Sequence, residues 1–382
     1  MKRGYKNMKR KLLAFILSMT MVLSLAGCSD PQTNETDKNT EKESSNSQSA
    51  GEEESGDTKA SGIETQSNNS ESKDVSSNQK DLEKVTFVLD WTPNTNHTGL
   101  YVAQEKGYFA ENGLEVEIVQ PPEDGADLLV ASGKAQFGVS FQDSMAPAIV
   151  GDHALPISAI AALIQHNTSG IVSRAGEGVD KPKGLEGKKY ATWDAPIEKA
   201  MIKNVVEGDG GDFGQVELIP STVTDEVSAL RSKSVDAIWI YYAWGGIAME
   251  NADLETDYFA FSDLNPVFDY YTPVLIGNND YMKENTEVTK GFLEALKKGY
   301  EDAIKDPQEA AEILCQSSPE LDPDLVLASQ QYLANQYKAE VDQWGYIDPV
   351  RWNEFYNWLN ENDLSEETIP ENTGFTNEYL PQ

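Results

Sequence analysis

The sequence has little of the residues that build covalent or metal-bound sites. Its 382 residues include 2 cysteines and 3 histidines. Two cysteines cannot form a disulfide framework or a cysteine-rich metal site. The histidines, at 97, 153 and 166, lack the short spacing of metal ligands, so we expect no metal and no bound cofactor. The sequence also contains no GxxxxGK[ST] phosphate loop and no nucleophile elbow.

Positive charge is scarce as well. The chain has 30 Lys and Arg against 64 Asp and Glu, a formal net charge of −34. Such a surface repels nucleic acid, so we expect no nucleic-acid partner. Between residues 85 and 270 the arginines are Arg174 and Arg231, and neither lies where a predicted strand passes into a helix. This distribution disfavours an anionic ligand such as a sulfonate or nitrate.

The amino-terminal residues have the composition of an export signal. Lys and Arg are frequent in residues 2–11, and an apolar run follows at 12–25 that is short for a membrane span. Residues 25–28 read LAGC, which is typical of a bacterial lipobox. We therefore predict a lipoprotein signal peptide over 1–28, with Cys28 lipidated and the protein held outside the cytoplasm. Residues 29–83 are polar and of low complexity, which predicts a disordered tether.

The remainder alternates short apolar runs with amphipathic segments. Val85 to Leu89 is predicted to be a buried strand and Thr98 to Lys106 a helix, and the pattern repeats along the chain. Such alternation predicts an α/β fold with mostly parallel sheets. We place the first part of lobe 1 at 84–178, lobe 2 at 179–268, and the return to lobe 1 with its helices at 269–382. Crossings at 174–183 and 263–271 would let the lobes close about a hinge.

The first candidate site is the polar loop between the first strand and the first helix. It reads DWTPNTNH, and proline and asparagine favour a turn there. In an open parallel sheet, ligands bind beyond the carboxyl ends of strands. Asp90, Trp91, Asn96 and His97 are therefore candidate ligand contacts. Two alternatives stay open, since Trp91 could pack in a core and His97 could only cap its own loop.

A second set of candidates would form the facing wall. Phe141 follows the strand predicted at 137–140, and Tyr241, Tyr242 and Trp244 follow the strand predicted at 235–240. Neighbouring side chains on a strand point to opposite faces, so these three aromatics cannot all face one cleft. Glu198 falls in the first turn of a predicted helix. Its carboxylate either compensates the helix dipole or accepts a hydrogen bond from an amino group of a ligand.

The stretch LDWTPNTNHTGLYVAQEKGYF, residues 89–109, resembles the opening of periplasmic-type solute-binding proteins related to the eukaryotic thiamine-pyrimidine synthase. The resemblance continues through GKAQFG at 133–138, GLEGKK at 184–189 and NDY at 279–281, and so spans 84–382. It implies a two-lobed periplasmic-binding-protein type 2 fold, with two parallel-type sheets, flanking helices and a hinge. It also implies a monomer that delivers its ligand to the permease and ATPase of an ABC importer.

The resemblance further suggests a thiamine pyrimidine precursor as the ligand, such as formylaminopyrimidine or hydroxymethylpyrimidine. An acid at a similar place in bacterial binders of these precursors gives Glu198 its possible role in reading the amino edge of the ring. Riboflavin is the main alternative solute, because it would also need aromatic plates. A sulfonate or nitrate is the third possibility.

The resemblance also bears on catalysis. The eukaryotic synthase uses a lysine and a histidine after its third strand and a cysteine-rich run before its return strand. Residues 139–144 of this chain read VSFQDS, without lysine or histidine, and residues 266–272 read PVFDYYT, without cysteine. We therefore expect a binding protein with no catalytic residues, and a pyrimidine synthase-like enzyme is the disfavoured alternative.

Overall fold

The computed structural model describes residues 82–221 and 223–381. The predicted signal peptide, Cys28 and the tether up to residue 81 lie outside the described residues. The strands are β1 Glu83–Val88, β2 Leu114–Val119, β3 Phe137–Ser140, β4 Ile157–Ala162, β5 Ser169–Arg174, β6 Lys189–Thr192, β7 Glu217–Pro220, β8 Ala237–Tyr241, β9 Thr256–Ala260 and β10 Val274–Asn278.

These strands form two five-stranded sheets. The order is β2-β1-β3-β10-β4 in the first sheet and β7-β6-β8-β5-β9 in the second. Strands β1, β2 and β3 are parallel, as are β6, β7 and β8. Strand β10 runs antiparallel to β3 and β4, and β5 runs antiparallel to β8 and β9. The predicted two-lobed α/β fold is confirmed, but both sheets are mixed, because the strand that enters each from the other lobe runs in the opposite direction.

The first crossing between the sheets lies earlier in the chain than predicted. Because β5 pairs with β8 and β9, it belongs to the second sheet, and the chain crosses at 163–168. The Gly-, Pro- and charge-rich stretch at 174–183 instead connects β5 to β6 within the second lobe. The true crossing contains Gln165, Asn167 and Thr168, which are buried, so it lacks the exposed character expected of a linker. The chain returns between β9 and β10, at 261–273.

Helices cover the faces of both sheets. They are α1 Thr98–Glu105, α2 Tyr108–Glu111, α3 Gly125–Ala131, α4 Gln142–Ala148, α5 Pro196–Gly208, α6 Glu226–Arg231, α7 Ile247–Asn251, α8 Phe261–Leu264, α9 Asn279–Glu284, α10 Thr286–Lys305, α11 Pro307–Ser317, α12 Pro323–Leu333 and α13 Pro349–Glu361.

Three of the carboxyl-terminal helices begin with the same capping motif. In each, an aspartate caps the helix and a proline occupies its first turn, where the missing N–H costs nothing. Asp306 accepts from the Glu309 N–H at 3.0 Å, and Asp348 accepts from the Val350 N–H at 2.8 Å. Asp322 accepts from the Asp324 N–H at 2.9 Å and starts α12 in the same way. The first residues of α11, α12 and α13 can therefore be predicted from the sequence.

Helix α1 is held against α10 by two glycines that permit close approach. A Cβ on Gly99 would lie 2.3 Å from the Tyr300 ring, and one on Gly299 would lie 2.0 Å from the Gly99 carbonyl oxygen. The Tyr300 hydroxyl also donates to the Asn96 carbonyl at 2.6 Å. The long helix thus fixes the loop that joins β1 to α1.

No helix within residues 82–221 and 223–381 is both long and apolar enough to span a bilayer. The same ranges contain no group of three or more His, Cys, Asp or Glu side chains placed to hold a metal ion.

Candidate functional site

A cavity of about 290 Å³ lies where strands from both sheets end. The first sheet contributes residues that follow β1 and β3, and the second contributes residues that follow β7 and β8. This is the edge at which open α/β sheets bind ligands. The lining residues are Asp90, Trp91, Thr92, Asn94, Asn96, Phe141, Val223, Thr224, Glu226, Tyr241, Trp244 and Pro273.

Asp90 is positioned by a histidine that lies behind it. The Nε2 atom of His97 is 2.6 Å from Asp90 Oδ1, and Nδ1 accepts from the Asn94 backbone N–H at 3.2 Å. Because Nδ1 accepts, a neutral ring carries its proton on Nε2 and donates it to the carboxylate. His97 is 1% exposed and does not line the cavity, so its direct contact with a ligand stays a prediction. Its position between the loop backbone and Asp90 explains its burial.

The loop that carries these residues is rigidly supported. The Asn94 side chain accepts from the Asn96 N–H at 2.9 Å and caps a short 3-10 turn at Thr95–His97. The Tyr337 hydroxyl donates to the Thr95 carbonyl at 2.6 Å. Trp91 is 55% exposed, so it is free of the core and presents its ring to the cavity. Its contact with a ligand stays a prediction.

The facing wall brings two aromatic rings together across the lobes. Phe141 and Tyr241 stack with ring centroids 6.3 Å apart and an interplanar angle of 17°. The Tyr241 hydroxyl lies 3.4 Å from Thr272 Oγ1. Burial raises the pKa of Tyr241, so this hydroxyl keeps its proton at neutral pH. Trp244 adds a third ring to the lining.

Tyr242 faces away from the cavity. Its ring packs at 5.0 Å from Tyr258 and 5.6 Å from Tyr332, measured between centroids. A π-helical turn at Tyr242–Gly246 follows β8 and places Tyr241 and Trp244 on the same side. Tyr242 does not line this cavity, and its contact with a ligand stays a prediction.

Glu198 also does not line the cavity, and its contact with a ligand stays a prediction. It is 2% exposed and accepts hydrogen bonds from the Tyr190 hydroxyl at 2.7 Å and the Thr192 hydroxyl at 2.8 Å. The Ala195 N–H donates to it at 3.3 Å. Burial raises the pKa of this carboxyl despite those donors. Glu198 fastens the start of α5 to the end of β6, and its acceptor capacity is used within the lobe.

A different acid of the second lobe reaches the cavity. Glu226 is the first residue of α6, just after β7, and it lines the cavity with Val223 and Thr224. Burial raises the pKa of the Glu226 carboxyl, and the neighbouring Asp225 raises it further. These residues were not among the predicted ligand contacts, although ligands bind beyond the end of β7 as readily as beyond the ends of β1 and β8.

The lining suits a flat ligand that donates hydrogen bonds. Trp91, Phe141, Tyr241 and Trp244 offer ring faces, and such faces bind planar heterocycles by stacking. Asp90 and Glu226 place acceptors on opposite walls. Among the described residues that line the cavity there is no Lys or Arg, so nothing there would neutralise an anionic ligand.

The sequence is similar to known proteins along most of its described length. A family model described as "NMT1/THI5 like" matches residues 94–310. The formylaminopyrimidine-binding protein of Halalkalibacterium halodurans is 31% identical over 315 residues, which cover 79% of this chain and 92% of that protein. A 4-amino-5-hydroxymethyl-2-methylpyrimidine phosphate synthase of Saccharomyces cerevisiae is 25% identical over 332 residues, covering 78% of this chain and 88% of the synthase.

The fold is similar to those of solved solute-binding proteins. The alkanesulfonate-binding protein SsuA of Xanthomonas axonopodis superimposes with a TM-score of 0.60, covering 77% of this chain and 98% of that one. The sequences are 12% identical, so this likeness establishes the architecture and carries no information about the ligand.

Proposed function

Because the chain belongs to the NMT1/THI5-like family, we propose that it is an extracytoplasmic solute-binding protein that captures a thiamine-related aminopyrimidine for an ABC importer. Formylaminopyrimidine and hydroxymethylpyrimidine are the leading ligands. The proposal rests on the cavity between the lobes, where ring faces meet acceptors of hydrogen bonds and no basic side chain is present among the described lining residues.

The chemistry of an aminopyrimidine fits this lining. Its exocyclic amino group donates two hydrogen bonds, and its ring nitrogen donates one when protonated. Asp90 is held by His97 with its carboxylate at the cavity, and Glu226 faces the cavity from the other lobe. A ligand that is neutral or cationic can satisfy both acids, whereas an anion would be repelled by them.

The size of the cavity also separates the candidate solutes. Small-molecule sites have volumes of roughly 300–1,000 Å³, and the volume of about 290 Å³ lies at the lower end. A single substituted ring fits such a space better than the three fused rings and ribityl chain of riboflavin. A sulfonate or nitrate is disfavoured because it would need positive charge in the lining.

We propose binding without turnover. Relatives of this chain include both a binding protein and pyrimidine phosphate synthases, so family membership alone leaves the activity open. The segments 139–144 and 266–272 lack the lysine, histidine and cysteines that the resemblance assigns to the synthase. Incubation with pyridoxal phosphate and iron should yield no pyrimidine, and a product in single-turnover amounts would contradict the proposal.

The lipid anchor is a further part of the proposal. The lipobox at 25–28 supports lipidation of Cys28 and attachment to the membrane beside a permease and its ATPase. We expect Cys28→Ala to move the protein from the membrane fraction into the soluble fraction. Retention of the variant in membranes after a high-salt wash would exclude the anchor and leave the ligand proposal intact.

The deciding experiment is mass spectrometry of the ligand that gently purified protein releases on unfolding. We expect the mass of an aminopyrimidine. Titration calorimetry should then show heat with formylaminopyrimidine or hydroxymethylpyrimidine, and little with riboflavin or taurine. Tight riboflavin binding without pyrimidine heat would replace the proposed ligand class.

A further inference from the structure

A cluster of charged side chains ties together the two chain segments that connect the lobes. His166 lies in the first crossing, at 163–168, and Asp269 lies in the second, at 261–273. Glu340 and Arg351 reach the pair from the carboxyl-terminal part of the chain. These four residues, His166, Asp269, Glu340 and Arg351, form what we call the hinge clasp. His166, Asp269 and Arg351 also border an open groove of about 910 Å³ that is separate from the ligand cavity.

Asp269 is the centre of the hinge clasp. One carboxylate oxygen accepts from the Asn167 backbone N–H at 2.9 Å, and the other lies 2.7 Å from His166 Nδ1. The same oxygen accepts from Arg351 Nη1 at 3.2 Å. The Asn167 side chain adds a hydrogen bond to the Phe268 carbonyl at 2.8 Å. Hydrogen bonds that involve both side chains and backbone therefore join the two crossings directly.

Arg351 connects both crossings to α13. Its Nη1 atom donates to the Gln165 carbonyl at 2.8 Å, and its Nη2 atom donates to the Tyr271 hydroxyl at 2.5 Å. The guanidinium also lies over the Tyr271 ring at 4.2 Å from the centroid. A rotation of one lobe against the other has to change the backbone of both crossings, so it has to strain or break these contacts.

The contacts of His166 favour a positively charged ring. Its Nδ1 faces Asp269 at 2.7 Å, and its Nε2 faces Glu340 at 2.8 Å. Ionised carboxylates only accept hydrogen bonds, so both contacts are satisfied when both ring nitrogens donate, and this favours the imidazolium. Hydrogen bonds to Asp269 and Glu340 raise the pKa of His166 above its usual 6.5, and partial burial opposes them.

Other charges near the ring act in both directions. Arg351 Nη1 lies 3.2 Å from His166 Nδ1 and opposes its protonation, but that guanidinium is itself paired with Asp269. Asp263, Asp348 and Glu354 line the same groove and add negative charge. Carboxylates therefore outnumber cations around the ring, which favours the protonated state.

We propose that His166 is a pH-dependent element of the hinge: its imidazolium favours the lobe arrangement seen here, and loss of its proton releases both crossings. The sign follows from linkage. Because the folded pKa lies above the unfolded value, the contribution is complete below pH 6.5 and is lost as the pH rises through the folded pKa. This property does not depend on the identity of the ligand.

The charge of His166 can be measured directly by NMR, because the chain has three histidines and their ring signals can be resolved. We expect His166 to titrate above pH 6.5, the usual value for histidine, and Glu340→Gln to lower its titration midpoint. Glu340 is well exposed, so this variant keeps its fold. A midpoint for His166 at or below pH 6.5 would overturn the proposal.

The effect on the lobes can be measured between spin labels on the two outer strands. Glu115→Cys in β2 and Glu217→Cys in β7 are exposed positions, and Cys28→Ser with Cys315→Ser removes the other thiols. We expect the distance distribution to change between about pH 6 and about pH 9. His166→Gln should give the high-pH distribution at both values, and His153→Gln should behave like the parent chain. An unchanged distance distribution in the parent chain across this pH range would refute the proposed role of His166 in the hinge.

Discussion

Two strand–turn–helix units of this chain each carry a tryptophan and an acid, but they differ in where these side chains lie. The unit from β1 to α1 places Asp90 and Trp91 at the cavity. The unit from β6 to α5 also contains a tryptophan and an acid, Trp193 and Glu198, and neither lines that cavity. Trp193 is 50% exposed and packs edge-on against Trp239 at 5.2 Å, whereas Glu198 is buried.

The difference comes from where the acid stands relative to the helix. Asp90 lies just beyond β1, which ends at Val88, and well before α1 begins at Thr98, and a buried histidine holds it from behind. Glu198 lies in the first turn of α5, after a turn of three residues, so it can reach back to Thr192. A carboxylate in that position accepts hydrogen bonds from hydroxyls of the preceding strand, so few of its acceptor sites remain for a ligand.

The largest effect should come from removing the internally bonded acid. Glu198→Ala leaves the buried hydroxyls of Tyr190 and Thr192 without their acceptor. We expect the free energy of unfolding to fall by about 2–4 kcal/mol, the scale for two unsatisfied buried groups. Denaturant titration followed by circular dichroism would measure it. Glu198→Gln keeps one acceptor oxygen and should lose less.

The same variant separates stability from binding. Once folded, Glu198→Ala should bind formylaminopyrimidine with an affinity within about twofold of the parent chain, because Glu198 does not line the cavity. A twofold change in affinity corresponds to about 0.4 kcal/mol. A loss of affinity by tenfold or more would restore Glu198 to the ligand site and would mean that the cavity extends toward α5.

The next effect concerns the two tryptophans. Trp91→Ala removes an exposed ring that lines the cavity, so we expect ligand affinity to fall by about 2–3 kcal/mol, or about 30- to 150-fold. Trp193→Ala is the matched control, because its side chain is exposed to a similar extent but does not line the cavity. Calorimetry should find its affinity unchanged. Equal losses for the two variants would show that both loops contact the ligand.

Much of this molecule could be read from its sequence, for reasons that are local. The helix predicted at Thr98 to Lys106 is observed as α1, Thr98–Glu105, and Asp-Pro pairs mark the starts of α11, α12 and α13. The loop at 90–97 could be identified because polar and aromatic residues follow an apolar strand. These features depend on neighbours in the chain.

The features that escaped prediction depend on distant partners. The crossing at 163–168 is buried by contacts with Phe268, Asp269 and α13, which the sequence does not reveal. The burial of His97 and Glu198 likewise depends on how each turn folds back on its strand. Glu226 was overlooked although its position after β7 was readable.

A smaller effect should follow when charge is removed from the cavity without loss of shape. Asp90→Asn keeps an oxygen that can accept from His97 Nε2, so the loop should keep its conformation. A hydrogen bond to a charged acceptor would be weakened, and we expect affinity to fall by about 1.5–2.5 kcal/mol. Glu226→Gln is the matched change on the opposite wall. If neither variant weakens binding in calorimetry, the ligand does not donate to these acids.

The smallest effect concerns Asp143, an acid in a third strand-to-helix unit, from β3 to α4. Its Oδ1 atom is buried and has no hydrogen-bond partner among the described residues, in contrast to the well-bonded Glu198. Burial raises the pKa of Asp143 from 3.8 to about 6, and Asp127 contributes in the same direction.

Removing this charge should therefore stabilise the protein, the opposite of the result for Glu198→Ala. The folded state binds the Asp143 proton more tightly than the unfolded state does, so stability falls as the pH rises from about 4 to about 6. Asp143→Asn should raise the free energy of unfolding by about 1–2 kcal/mol at pH 8 and leave it unchanged near pH 3.5. Denaturant titrations at the two pH values measure both changes. A loss of stability at pH 8 would mean that the carboxylate has a binding partner in solution, and that Asp143 resembles Glu198 after all.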